Sequence, residues 1–124
     1  MQTRPDQPLP ASSTRLYNAR VTSERLEKLR KLLERDPADT FLLYGIALEH
    51  KKLGAAKSAI EYLDRVIAAD PGYCYAYHQK GLVFESQGDV DAAKEAYRAG
   101  IDAAAKKGDA HARDEIQAAL DMLA

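Results

Sequence analysis

Residues 70–101 read DPGYCYAYHQKGLVFESQGDVDAAKEAYRAGI, and residues 36–67 read DPADTFLLYGIALEHKKLGAAKSAIEYLDRVI. The two stretches stand 34 residues apart. Sliding one onto the other superposes Asp36 on Asp70, Pro37 on Pro71, Leu48 on Leu82, Gly54 on Gly88, Ala59 on Ala93, Glu61 on Glu95 and Ile67 on Ile101. Other pairs keep their chemistry: Phe41 with Tyr75, Leu43 with Tyr77, His50 with Phe84 and Leu63 with Tyr97. A match sustained at one fixed spacing marks a repeat architecture, in which neighbouring units complete each other's core.

Each unit has the pattern of a helical hairpin. From Thr40 to Leu53, the residues Leu43, Ile46, Ala47 and His50 recur at three and four and put one face inward; Gly54 then ends the helix. A second helix from Ala56 to Ala69 buries Ala59, Ile60, Leu63, Val66 and Ile67, and Asp70-Pro71 stops it. In the following unit Tyr77, Gly81 and Phe84 face inward, Gly88 closes the first helix, and Asp89 caps a second that carries Ala93, Ala96, Tyr97 and Ile101. Gly81 and Ala93 allow the two helices of the hairpin to approach closely. The alternation of Tyr73, Tyr75 and Tyr77 has the look of a strand, but the 34-residue register makes this run a helix start.

With its small residue between two aromatics, mid-repeat glycine, alanine five residues on and closing Asp-Pro, this hairpin resembles the tetratricopeptide repeat (TPR). Tyr77, Gly81, Phe84, Gly88, Ala93, Tyr97 and Ile101 occupy its consensus places. The earlier unit matches through Leu43, Ala47, Gly54, Ala59, Leu63, Val66 and Pro71, with His50 where an aromatic is usual. Lys80 departs from the family, which has leucine there; its stem can lie on the core while the ammonium reaches solvent, at the cost of looser packing. The resemblance implies an all-α fold of antiparallel helix–turn–helix repeats, stacked as a short right-handed superhelix with a C-terminal capping helix.

Working outward, Leu26, Leu29, Leu32 and Leu33 fall where a repeat's second helix buries its residues, so 23–37 is expected as a half-repeat. Full repeats follow at 38–71 and 72–105. Beyond them, Ala112, Ile116, Ala119, Leu120 and Leu123 form the stripe of a capping helix over 109–123. The resulting domain spans 21–124. Residues 1–20, with Pro5, Pro8 and Pro10 among polar neighbours, offer little to bury and are expected to be a disordered tail.

Composition agrees with one small helical domain. The 124 residues are 46% hydrophobic and 30% charged with a net charge of −1, which argues against nucleic acid or an anionic membrane as a partner. No run of about 18 apolar residues exists to span a bilayer. The single cysteine cannot form an internal disulfide, and nothing reads as a secretory signal, so the cytoplasm is the expected compartment.

Little points to catalysis. Cys74 and His78 are four apart on one helix face, a spacing compatible with a metal or a Cys–His site, but no carboxylate partner stands at motif spacing. His50 reads as an inter-helix contact and His111 as an exposed residue. No phosphate-cradling glycine motif occurs. The chain is therefore expected to be no enzyme and to need no cofactor or metal.

By the resemblance, side chains projecting from the first helices line a concave groove: Phe41, Tyr44, Leu48, Lys51 and Lys52 in one unit, Tyr75, His78, Leu82 and Glu85 in the next, and Arg113 from the capping helix. An aromatic and apolar centre of this kind is larger than a solvated monomer surface leaves open. It implies a protein-binding module for a peptide, helix or partner surface, with an apolar ligand, aromatic or acidic-ended, suggested by an uncharged centre and by Lys51, Lys52 and Arg113 near the rim. The chaperone-tail clamp known in the family needs polar side chains where Tyr44, Leu48 and Leu82 stand. The alternative is self-assembly into a homo-oligomer through the open ends of a short array.

Overall fold

The computed structural model describes residues 24–123, and among these there are six helices and no strand. They are α1 (24–35), α2 (Thr40–Lys52), α3 (Ala56–Ala69), α4 (Cys74–Ser86), α5 (Val90–Lys107) and α6 (Ala110–Asp121). Residues 1–20, expected as a disordered tail, lie outside the described residues. Each helix from α2 onward packs on the next, and α4 also reaches α6. The expected all-α, helical-repeat fold is what the chain adopts.

Local chemistry sets the ends. Asp39, Asp89 and Asp109 each accept a hydrogen bond from the backbone N–H three residues on, at 3.1, 3.1 and 3.0 Å, capping α2, α5 and α6. Such a cap is worth about 1 kcal/mol. Gly54 and Gly88 take φ of 76° and 78°, so α2 and α4 end in left-handed turns where a Cβ would be strained. The turns are closed by Ala55 N–H to the His50 carbonyl at 2.9 Å and Asp89 N–H to the Phe84 carbonyl at 3.0 Å.

The apolar residues form two adjoining cores. One joins Leu26 and Leu33 of α1 to Leu43, Ile46 and Ala47 of α2, Ala59, Leu63 and Val66 of α3, and Ala76 and Val83 of α4. The other joins Cys74 to Ala93, Tyr97, Ala104, Ala112 and Ile116. Helix α4 thus lies between two cores and is apolar on two faces, one of which, Ala76 and Val83, the periodicity did not single out. Some expectations shift accordingly. Tyr77 and Phe84 are only half-buried, Leu32 is 49% exposed, and Cys74 is core.

The second hairpin closes on glycine. A Cβ built on Gly81 would collide with the ring carbons of Tyr97, which is fully buried. Gly100 serves the same purpose in reverse, since a Cβ there would lie 2.8 Å from the Tyr77 Cβ and 3.1 Å from Ile116 Cδ1. Lys80 extends its ammonium to 2.7 Å from Asp64 Oδ1 on α3. Beside it an open cavity of about 320 Å³ runs between α3, α4 and α5, floored by Ile67, Tyr77, Phe84 and Ala96. This matches the looser packing expected where lysine replaces leucine.

His50 is buried against the first core and stacks on Tyr62, with centroids 5.4 Å apart, but its Nε2 has no hydrogen-bond partner. Burial holds its pKa below the usual 6.5, Arg30 of α1 adds to this, and Glu61 of α3 opposes it. Glu49, also buried, is met by Arg25 at 3.1 Å and Lys52 at 3.6 Å.

Two substitutions test this packing. Gly81→Ala should cost about 1–3 kcal/mol by overpacking against Tyr97, read as a lower urea midpoint. His50→Phe should raise the melting temperature, since a buried orphan nitrogen costs about 1–3 kcal/mol. It should also flatten the pH profile. The folded state holds His50 neutral, so stability is complete above 6.5 and falls as pH drops through 6.5, where the unfolded chain takes up the proton first. His50→Phe should leave the slope due to His78, whose pKa is lowered in the same direction.

Candidate functional site

Helices α2, α4 and α6 open the successive hairpins and the final cap, and their exposed side chains meet on one surface. Phe41, at the start of α2, is 75% exposed, and Tyr75, at the same place on α4, is 38% exposed. On the same helices Tyr44, Leu48, His78 and Leu82 are half-buried. The apolar surface is therefore narrower than the sequence suggests: two protruding aromatic rings above a floor whose residues share their area with the core.

The floor is built from contacts between helices. Tyr44 packs against Tyr73 of the inter-repeat turn, with centroids 5.2 Å apart. Lys51 Nζ donates to Gln79 Oε1 at 2.7 Å, joining α2 to α4. Gln79 carries no signal in the sequence, and Tyr73 is marked there only as part of the tyrosine run that starts α4. Both lie off the repeat's consensus places, so only the packing of one hairpin on the next reveals them.

His78 stands over the buried Tyr97, edge to face, at 5.9 Å and 72°. The Tyr97 hydroxyl passes the core and donates to the Glu85 carboxylate, which is half-buried. Burial, and then this bond to an anion, holds the phenol far above its usual pKa. Burial also holds the His78 pKa below 6.5; Glu115 on α6 pulls against it, Lys51 adds to the depression, and Glu85 opposes it. At neutral pH His78 is thus an uncharged polar ring with a cation on one side and carboxylates on the other.

Two of the expected groove residues face elsewhere. Lys52 turns to the buried Glu49, and Arg113 lies 3.2 Å from the Asp114 carboxylate and beside Ala104 and Ala105 of α5. From α6 it is Glu115, one helical turn past His111, that faces Tyr75 and His78. Glu115 carries no signal in the sequence, because its place depends on how α6 leans on α4.

The Cys74 thiol does not join His78. It donates to the Gly72 carbonyl at 3.3 Å inside the second core, and burial raises its pKa, the opposite of what a nucleophilic thiolate requires. Among the described residues no three His, Cys, Asp or Glu side chains gather where a metal ion could be held. No helix among them is long and apolar enough to cross a membrane.

Comparison with known proteins agrees with this architecture. The tetratricopeptide repeat family model matches residues 42–73 and 75–107. A TPR repeat-containing protein of Pseudomonas aeruginosa is 30% identical over 98 residues, covering 79% of this chain and 93% of that protein. Among solved structures, a tetratricopeptide repeat domain protein from Salinibacter ruber is 31% identical with a TM-score of 0.66, over 71% of this chain and 89% of that one. PcrH, solved in complex with the chaperone binding region of PopD, superposes with a TM-score of 0.75 at 17% identity, over 93% of this chain and 87% of that one.

The electrostatics of the floor can be read directly by NMR. The His78 ring should titrate below 6.5 in a ¹H–¹³C experiment, and Glu115→Gln should move its midpoint lower still, because Glu115 favours the cation.

Proposed function

The chain belongs to the tetratricopeptide repeat family, which makes it a protein–protein interaction module, and we propose that it binds a segment of another protein on the α2–α4–α6 surface. The observation that carries this reading is the pair of protruding aromatics, Phe41 and Tyr75, at matching places on successive first helices. Exposed rings are costly to leave in water, and when set over a preformed floor they are good anchors for a partner's apolar side chains. Tyr44, Leu48, His78 and Leu82 supply the floor, and Lys51 and Glu85 its polar edge. In PcrH, a protein of the same fold, the ligand in the solved complex is likewise a region of another protein.

In this reading the protein is a non-enzymatic scaffold working in the cytoplasm, in keeping with its single buried thiol. Its organisation is a half-repeat over 23–37, repeats over 38–71 and 72–105, and a cap over 109–123. A second reading, homo-oligomer formation through the array's ends, is favoured by Leu32 on α1 and Met122 after α6, which are 49% and 86% exposed. Light scattering across a dilution series separates the two, since only a self-assembler changes mass.

Selection from a phage-displayed library of 12-residue peptides provides a ligand for the test. Phe41→Ala with Tyr75→Ala should weaken binding of a selected peptide at least about tenfold while leaving the melting temperature within a degree or two, because both rings are solvent-facing. Undiminished binding by a folded double variant would move the site elsewhere.

A further inference from the structure

The surface proposed above is also electrically polar, because its charges are sorted by helix. Lys51 on α2 hydrogen-bonds the neutral amide of Gln79 and meets no carboxylate among the described residues, so its charge is not neutralised. Lys52, its neighbour, is drawn off to Glu49 and away from this surface. On α4, Glu85 is held by the neutral hydroxyl of Tyr97. On α6, Glu115 lies beside the Tyr75 hydroxyl and, at 3.6 Å, His111, which is charged only when protonated; it pairs with no Lys or Arg among the described residues. Between the cationic and anionic sides lie the uncharged rings of His78 and Tyr75.

From this arrangement we propose that the ligand is a segment whose charges are ordered: an acidic residue seated at Lys51, an apolar or aromatic anchor over Tyr75 and His78, and a basic residue seated at Glu85 and Glu115. The inference rests on the binding surface proposed above and adds the chemistry and orientation of what it takes. It replaces the acidic-ended ligand suggested by sequence, because Lys52 and Arg113 are engaged by Glu49 and Asp114. Opposed charges at the two edges of an aromatic anchor would set the direction in which the segment lies, which apolar contacts alone do not do.

The test uses the full chain and the same 12-residue phage-displayed library, with enriched sequences remade as fluorescent peptides and measured by anisotropy. The peptides should share an acid and a base flanking an apolar anchor, and should bind more weakly as salt rises. Glu115→Lys should weaken them about two- to fivefold, the range of a single exposed charge pair, with Glu115→Gln giving a smaller loss. The doubly reversed chain, Lys51→Glu with Glu115→Lys, should prefer the peptide in which acid and base are exchanged. All three variants alter exposed side chains, and their melting temperatures establish that they fold. If peptides that depend on Phe41 and Tyr75 show no common charge order, or ignore the double reversal, the polarity is overturned and the binding surface stands. If binding is indifferent to Phe41 and Tyr75, the surface itself is overturned and the polarity with it.

Discussion

The ring of Tyr97 lying on the bare backbone of Gly81 is the contact on which the second hairpin depends. It brings α4 and α5 closer than any side chain at position 81 would allow, and that closeness leaves Tyr97 with no solvent exposure. The same ring carries the consequence outward. Its hydroxyl emerges beside Glu85 and its face receives the edge of His78, so a core contact determines how two surface groups are held. Because the ring is locked by packing, those groups are positioned before any ligand arrives, which reduces the ordering cost of binding.

The same economy explains the departures from the repeat pattern. Lys80, in a place that calls for leucine, is tolerated because Asp64 of the preceding hairpin receives its ammonium; the unfilled volume beside it remains as an open cavity. His50, in a place that calls for an aromatic, keeps the stacking on Tyr62 but carries an unsatisfied nitrogen into the core. Both substitutions weaken packing on the side of the hairpins away from Phe41 and Tyr75, leaving the α2–α4–α6 surface intact. Cys74 follows a similar logic: its thiol fills the second core as a small apolar group and takes no part in that surface.

The α2–α4–α6 surface joins two kinds of residue. Phe41 and Tyr75 protrude because the repeat places them on the outer face of a first helix, and their exposure follows from the helical period. Glu115, Gln79 and Tyr73 belong to the surface because of the tilt and offset between one hairpin and the next. The periodic residues supply apolar area, and the offset residues supply the polar order that we propose selects a ligand.

Much of this was legible in the chain itself. A period of 34 residues determines the hairpins, since the spacing of Leu43, Ala47, Tyr77 and Gly81 can be satisfied only by helices that pack in pairs. Asp89 and Gly54 mark helix ends through chemistry that acts within four residues. Tertiary structure decided which charges reach from one helix to another. Lys51, Lys52 and Arg113 look alike in sequence, yet Lys51 crosses to Gln79 of α4, while Lys52 and Arg113 stay with Glu49 and Asp114 of their own helices. It also decided that Glu115 replaces Arg113 opposite His78, and that α4 is apolar on two faces. Periodicity reports which side of a helix is buried, but the partner of a long, flexible charged side chain depends on the relative placement of whole helices. That placement is set by the sum of many packing contacts, which no local stretch of sequence contains.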